Sequence, residues 1–311
     1  MQLSHKSKMA KRRALQRELT GYAFILPGLV FLVVYMAYPL VHTFYLSLTK
    51  YKLTDRAPKY IGFKNYVNLF SDSKFILAMK NTAIFAVFFF VLVMVISLLI
   101  AMLLDQGVRG TGFFRTAIFL PVIVPLSLSG VVFTWILNQN YGLLNYLLRE
   151  VGLGILARNW LSEPAYARFS VVFVSLWKNM GILVILYLAG LQAISNDIIE
   201  ASKVDGASVF RRTFSIILPN LKESFVVCGI WAIMNAIKVF EQVFVMTNGG
   251  PADATLTLYL YTWQTAFMYL NIGYASAVAY IMGICIMAFS LLNMYLNRSD
   301  TAEKKLRSRR G

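Results

Sequence analysis

Apolar residues along the chain fall into six blocks of bilayer length, separated by polar segments. A helix needs about 20 mostly apolar residues to cross a hydrocarbon layer of about 30 Å. Backbone polar groups cannot stay unpaired in lipid, so blocks of this length should be helices. We therefore predict an all-α, polytopic membrane protein with six transmembrane helices, over residues 22–48, 81–104, 116–137, 169–191, 224–246 and 272–297.

The composition agrees with this prediction and excludes an ordinary soluble domain. Hydrophobic residues make up 58% of the chain and charged residues 14%, against roughly a quarter charged in soluble domains.

A basic stretch precedes the first block. That block is too long for a signal peptide and lacks a small-residue cleavage site, so we expect it to be retained as an anchor.

The placement of the basic residues orients the chain. With a cytoplasmic N-terminus, the inside segments hold 18 Lys and Arg residues and the outside segments hold 10. This asymmetry follows the positive-inside rule, although the outer loop 48–80 carries seven of the ten, and it predicts that both termini are cytoplasmic. The net charge of +16 thus indicates lipid headgroups, which the basic tail 304–310 would face, and not nucleic acid.

Several short features interrupt the apolar blocks. Pro121 and Pro125 should kink the third span, either as a purely structural kink or to line a pathway. Residues 142–150 and 258–270 have helical apolar spacing but are too short to span, so they are predicted to be external amphipathic pieces. Residues 248–251, Asn-Gly-Gly-Pro, predict a tight turn.

The chain offers little material for catalysis or metal binding. It contains no G-x-x-x-x-G-K-[ST] phosphate cradle, so we expect that it does not bind ATP itself. Its two histidines are His5 and His42, and its two cysteines, Cys228 and Cys285, lie within predicted spans as packing residues. We therefore predict a non-enzymatic protein with no metal or cofactor of its own.

A few polar residues lie inside the predicted spans, where a charge costs about 2.5–3.5 kcal/mol on insertion scales. Lys178 lies in the fourth span. In the fifth, Asn235, Lys238 and Gln242 recur at helical spacing with Glu241 beside them, which predicts one polar stripe. These five residues are candidates to line a hydrophilic pathway. The alternative is an internal Lys238–Glu241 pair that only sorts helices.

The polar segment 195–220 has the pattern of a short, capped helix. Asp197 and Glu200 are spaced as a capping box, and Gly206 is placed as a left-handed C-cap, which predicts a helix over 198–204. Ala201 and Ser202 are small enough for a partner surface to approach closely. An apolar stripe follows over 209–218, and Pro219 suits the first turn of the next element.

These residues resemble the EAA signature, E-A-A-x(3)-G-x(9)-I-x-L-P, of permease subunits in binding-protein-dependent ABC importers. Ser202 replaces the usual second alanine, a small-for-small change. Six positions match: Glu200, Ala201, Gly206, Ile216, Leu218 and Pro219. The resemblance covers residues 20–295. The chain is most similar to the carbohydrate-uptake branch, and within it to the first subunit of the permease pair, as in the maltose and glycerol-3-phosphate importers. The segments that carry this closer resemblance are 63–66, 81–82, 114–115, 120–121, 185–192 and 246–251.

The resemblance implies a type I ABC importer permease fold in a bacterial or archaeal cytoplasmic membrane. The chain would form half of a pathway for a sugar or oligosaccharide delivered by an external solute-binding protein. Its partners would be a second homologous permease and two ATP-binding subunits, which hold the ATP-Mg. The helix in 195–220 would couple to the ATPase through Glu200, Ala201, Ser202, Asp205, Gly206 and Ala207.

The implied organisation is a basic N-terminus (1–20), a first helix with its external loop (21–77), the permease domain (78–296) and a basic tail (297–311). A polyol-phosphate importer such as one for glycerol 3-phosphate is the nearest alternative. An ion-coupled secondary transporter would usually show more spans, an inverted repeat and midplane acids. A membrane enzyme would need catalytic carboxylates or histidines, of which this chain has almost none.

Overall fold

The computed structural model describes residues 20–107 and 110–307, with side chains up to Tyr295. The basic segments 1–20 and 297–311 therefore lie almost wholly outside the described side chains. The structure confirms the all-α prediction, apart from one two-stranded hairpin, β1 (Thr49–Lys50) and β2 (Lys59–Tyr60). The helices are α1 (Thr20–Ser47), α2 (Lys64–Leu69), α3 (Ser73–Asp105), α4 (Thr111–Ile123), α5 (Leu126–Ile136), α6 (Leu143–Glu150), α7 (Pro164–Gln192), α8 (Asn196–Val204), α9 (Val209–Arg212), α10 (Leu218–Asn220), α11 (Lys222–Ile237), α12 (Glu241–Met246), α13 (Leu258–Trp263) and α14 (Ile272–Arg307).

The six predicted spans correspond to five long apolar segments and one broken pair of helices. The long segments are α1, α3, α7, α11 with α12, and α14. The third span is not a single helix, because α4 and α5 meet at an angle of 101°. Val124 between them is extended and Pro125 caps α5, as expected since proline disfavours a helical residue before it. The predicted kink is thus confirmed at Pro125, whereas Pro121 lies within α4.

The core forms where α3 and α7 pack against each other and against α11. Lipid tails are as apolar as leucine, so helices in a bilayer associate through close packing and interhelical hydrogen bonds. Gly190 of α7 permits close packing with α11, because a Cβ there would overlap the Ser224 hydroxyl oxygen, and Gly181 does the same for α4, where a Cβ would lie 2.5 Å from the Ile118 carbonyl oxygen. The largest fully buried side chains nearby include Phe75, Phe89, Val93, Val171, Leu183 and Tyr187.

Helix α1 lies apart from this core and exposes nearly all of its apolar surface. It contacts α14, where the rings of Phe44 and Tyr280 lie 5.2 Å apart and the Tyr280 hydroxyl donates to the Leu40 carbonyl. Its outer end is held by Asn65, whose amide donates to the carbonyls of Ser47 and Thr49 at 2.8 Å. The apolar side of α1 is therefore left for lipid or another chain.

The N-terminal end of α3 is held by a carboxylate that accepts four hydrogen bonds. Asp72 caps the helix by accepting from the backbone amides of Lys74 and Phe75, and it also accepts from the hydroxyls of Tyr261 and Tyr274. Burial alone would raise the pKa of Asp72, but these hydrogen bonds outweigh it and lower the pKa below its ordinary value. The cluster ties α3, α13 and α14 together.

The turn predicted at 248–251 is confirmed. Gly249 has a positive φ of 87° and the Gly250–Pro251 peptide is cis. The loop that follows is fixed from neighbouring helices: the Asn81 amide donates to the carbonyls of Asp253 and Leu256 at 2.8 and 3.1 Å. This loop leads into α13, which confirms that residues 258–270 begin with a short helix.

Candidate functional site

The fifth predicted span is interrupted where its polar residues lie. Helix α11 ends at Ile237, Phe240 has φ −138° and ψ −62°, and α12 begins at Glu241. The predicted polar stripe therefore lies across a break and not along one continuous helix. A break frees backbone groups that lipid cannot satisfy, and here the hydroxyl of Thr257 donates to the Val239 carbonyl at 3.1 Å. A side chain from the outer loop thus stabilises the break.

The break nevertheless gathers the predicted polar residues in one place. Asn235, Lys238, Glu241 and Gln242 line a single cleft of about 170 Å³. Asn235, Lys238 and Glu241 are exposed, whereas Gln242 is buried. Its apolar and aromatic walls are formed by Phe85, Phe89, Leu126, Val239, Phe240 and Tyr259. The cleft therefore combines amide, ammonium and carboxylate groups with aromatic surface.

Two further polar residues of the cleft were missed from the sequence. Ser175 and Asn179 of α7 line it, and the Asn179 amide donates to the Ser175 carbonyl at 2.7 Å. The Ser175 hydroxyl is buried without a hydrogen-bond partner. Their i, i+4 spacing places both on one face of a helix that is otherwise apolar. That spacing was the available signal.

The charges of the cleft are not neutralised by each other. Among the residues that the structure describes, no ion pair joins Lys238 to Glu241, so the alternative of an internal helix-sorting pair is not what the fold contains. The carboxylate of Glu241 does interact electrostatically with Lys178. Exposed charged groups that form no ion pair with each other are suited to hydrogen-bonding a polar solute.

Lys178 does not line the cleft, contrary to its assignment as a pathway residue. Its side chain is 7% exposed, and its Nζ donates to the carbonyls of Pro121 and Val122, both at 2.7 Å. These carbonyls belong to the last turn of α4, where the carbonyl groups have no N–H donors within the helix and where a cation is favoured. Pro125 has no N–H to donate. Lys178 therefore stabilises the end of the broken third span.

The predicted short helix exists as α8 and begins two residues earlier than expected. Ser195, not Asp197, is the N-cap, and its hydroxyl accepts from the Asp197 amide at 3.3 Å; the capping box built on Asp197 is wrong. Gly206 is the predicted left-handed C-cap, with φ 74°. The Ala207 amide donates to the Ser202 carbonyl and the Gly206 amide to the Lys203 carbonyl, which is a Schellman motif.

The predicted coupling residues divide between two sides of α8. Glu200, Ala201, Asp205 and Gly206 are exposed and Ala207 is half-buried. Ser202 is buried against its own chain, and its hydroxyl donates to the Ile199 carbonyl at 2.6 Å. The sequence suggested that Ser202 presents a small side chain to a partner, but the side chain faces its own chain.

Within the described part of the chain, no cluster of three His, Cys, Asp or Glu residues offers a metal site.

The chain contains bilayer-length helices, and two of its spans are broken beside a polar cleft. A short polar helix lies outside these spans. This arrangement defines a multi-pass membrane transport component. Residues 101–299 match the family described as "Binding-protein-dependent transport system inner membrane component". The chain belongs to this family. It is therefore an inner-membrane component of a binding-protein-dependent transport system.

Known proteins of similar sequence and fold agree. The chain is 35% identical to the probable ABC transporter permease protein YurN of Bacillus subtilis, over 93% of this chain and 99% of the relative. It is 33% identical to the trehalose/maltose transport system permease protein MalF of Thermococcus litoralis, over 89% and 93%. A crystal structure of a bacterial alginate ABC transporter with its alginate-bound periplasmic protein contains a chain that matches with TM-score 0.81 and 21% identity, covering 93% and 97%. This likeness confirms the predicted permease fold.

Proposed function

We propose that the chain is one permease subunit of an ATP-driven importer and forms half of the pathway for a sugar or oligosaccharide. The observation that carries this proposal is the break in the fifth span, which presents Asn235, Lys238, Glu241 and Gln242 with aromatic side chains on one wall. Proteins bind sugars with amide and charged groups, which replace water at the sugar hydroxyls, and with aromatic side chains, whose flat apolar faces contact the sugar ring. Relatives named for trehalose/maltose, lactose and diacetylchitobiose support the same solute class.

The cleft is open on one side, which suits a pathway completed by a second, homologous permease. An external solute-binding protein would deliver the sugar to it. The positive-inside bias supports cytoplasmic termini and places α8 on the cytoplasmic side. There it would dock on one of two ATP-binding subunits, which bind the ATP-Mg that this chain has no phosphate cradle to hold.

The Schellman cap gives α8 the rigidity that coupling requires, because a movement of the ATPase is transmitted only through an element that does not unwind. Glu200, Ala201, Asp205 and Gly206 form the accessible side of the contact, with Ala207 at its edge. Ser202 acts from the inner side by anchoring the helix on its own chain. ATP-driven closure would thereby switch the two permeases between inward- and outward-facing states.

A polyol-phosphate substrate is less well supported by the cleft. Phosphate recognition calls for several basic groups or clustered backbone amides. Of the residues that line the cleft, Lys238 is the one cation and Glu241 the one anion. Their opposite charges favour a neutral solute.

The test is uptake by the permease pair, ATPase and binding protein reconstituted in proteoliposomes, with trehalose and maltose as first probes. Glu241→Gln should lower uptake roughly tenfold, because it removes a charged acceptor worth about 1.5–3 kcal/mol, while the yield of the complex is unchanged. Glu150→Gln, on an exposed external helix, is the control. Uptake that needs no ATP and is abolished by an uncoupler would refute the importer assignment, and equal loss of assembled complex would remove Glu241 from the pathway.

A further inference from the structure

Helix α6 is held in one fixed position between the third and fourth spans. Asn145 at its centre is 1% exposed. Its amide nitrogen donates to the carbonyls of Gln139 and Arg158 at 3.2 and 2.9 Å. Its amide oxygen accepts from the backbone N–H of Arg158 and from the indole N–H of Trp160, the latter at 2.8 Å. A single side chain thus ties α6 to both flanking segments, and the faces of the helix have defined surroundings.

The helix has two apolar sides, of which the protein covers only one. Leu144 and Leu148 are partly buried and line a cleft with Trp160. Leu143 and Leu147 lie about a quarter of a turn away, at 3.6 residues per turn, and are half exposed. Arg149 lies on the remaining, polar side. The surface of α6 is therefore divided into a protein-facing side, an uncovered apolar side and a water-facing side.

Exposed apolar side chains continue beyond the helix. Ile155 is 79% exposed and Val151 66% exposed. We call this surface the α6 apolar face; it consists of Tyr141, Leu143, Tyr146, Leu147, Val151 and Ile155. Glu150, the last residue of the helix, lies at the edge of this side, four residues after Tyr146 and three after Leu147.

The α6 apolar face is continuous with the exposed surface of a membrane helix. Tyr141 and Leu143 share one shallow cleft of about 320 Å³ with Trp135 and Ile136 of α5. Trp135 is 63% exposed. Along α5 the exposed apolar side chains are Leu128, Val131, Val132 and Trp135. One uninterrupted apolar surface therefore runs from the broken third span onto α6.

We propose that α6 is an interfacial helix whose apolar face is immersed in the outer leaflet of the bilayer. Lipid fits this face because two tyrosines accompany the aliphatic side chains, and tyrosine is enriched where hydrocarbon meets headgroups. The division into apolar and water-facing sides is typical of helices that lie in the membrane plane. A solute-binding protein that docks and leaves would expose the face to water in every cycle, which soluble surfaces of this kind avoid.

Arg149, which follows the apolar face on the exposed polar side of α6, would be available to lipid phosphates, which adds charge complementarity. Helix α6 would then be fixed to the bilayer surface on one side and, through Asn145, to spans three and four on the other. It would therefore hold the outer end of the broken third span at constant depth in the membrane. The assignment to the outer leaflet rests on the proposed topology, whereas immersion in lipid does not.

Collision accessibility of spin labels tests this proposal in the complete transporter in nanodiscs of phosphatidylethanolamine and phosphatidylglycerol. Single cysteines would replace Leu147, Ile155 and Arg149 in a chain whose Cys228 and Cys285 are changed to alanine. Oxygen partitions into lipid and a neutral nickel chelate into water. We expect the oxygen-to-nickel ratio to be several-fold higher at Leu147 and Ile155 than at Arg149, with and without the solute-binding protein.

Two results would overturn the proposal. High nickel accessibility at Leu147 and Ile155 would show that the face is in water. Low accessibility to both reagents would show that a protein covers it, and a change on adding the binding protein would identify that partner. None of these readings depends on transport, so failure of the proposal is distinguishable from failure of the importer assignment.

Discussion

Replacing Lys178 with methionine tests how the broken third span is held together. The ammonium group donates two hydrogen bonds of 2.7 Å to the carbonyls of Pro121 and Val122. Hydrogen bonds from a charged group contribute about 1.5–3 kcal/mol each, so the loss is about 3–6 kcal/mol. Removing the buried charge returns about 2.5–3.5 kcal/mol of insertion cost. The net destabilisation of Lys178→Met is therefore about 0.5–2.5 kcal/mol.

The assay is equilibrium unfolding of the purified chain in mixed micelles titrated with SDS, followed by helical circular dichroism. Lys74→Met, which removes an exposed lysine at the outer start of α3, is the matched control and should unfold like the wild type. Uptake by the reconstituted transporter separates the two roles of Lys178. A residue that holds α4 should change stability and leave the KM for solute unaltered. Unchanged stability together with a raised KM would refute the structural role and restore Lys178 to the pathway.

Three further predictions follow from other contacts. Gly206→Ala, at φ 74°, should strain the C-cap of α8 by about 1 kcal/mol, so that ATP hydrolysis continues while uptake falls. The control is Gly107→Ala, at φ 69° in another connecting loop, which should leave the ratio of hydrolysis to uptake normal. Because its folded pKa is lowered, Asp72 should stabilise the fold at neutral pH and lose that contribution as pH falls below about 4; thermal melts should show that Asp72→Asn removes this part of the acid sensitivity, and an unchanged pH profile would contradict it. Thr257→Val should lower the free energy of unfolding by about 1–3 kcal/mol, because the Val239 carbonyl loses its partner, and it should lower uptake. The control is Thr262→Val, because the Thr262 hydroxyl bonds only within its own helix; it should have a small effect in both the unfolding and the uptake assay.

The features predicted correctly from the sequence are those that local chemistry decides. Apolar length located all six spans, proline located the break at Pro125, and glycine located the turn at Gly249 and the C-cap at Gly206. Even the misplaced N-cap of α8 is a local matter, because Ser195 and Asp197 are both good capping residues and lie two positions apart. Each of these features depends on residues within one or two helical turns.

The features that were missed depend on partners distant in sequence. Nothing in the run Ile237-Lys238-Val239-Phe240 breaks a helix by its own propensity. The break is stabilised by Thr257, which is 18 residues further along the chain. Hydropathy identified Lys178 as an expensive charge but not its direction, because its acceptor carbonyls are 56 and 57 residues away.

The two broken spans explain why a polar cleft exists in so apolar a protein. Irregular backbone at membrane depth is tolerated only where protein buries it or where it lines a cavity. Helices α5 and α12, which follow the two breaks, pack on each other, and Gly130 permits this because a Cβ there would lie 3.0 Å from Val245. Each break is satisfied by a donor from another element, Lys178 for one and Thr257 for the other. Both breaks are therefore stabilised by donors that do not line the cleft, and Thr257→Val should lower uptake although this side chain does not reach the solute.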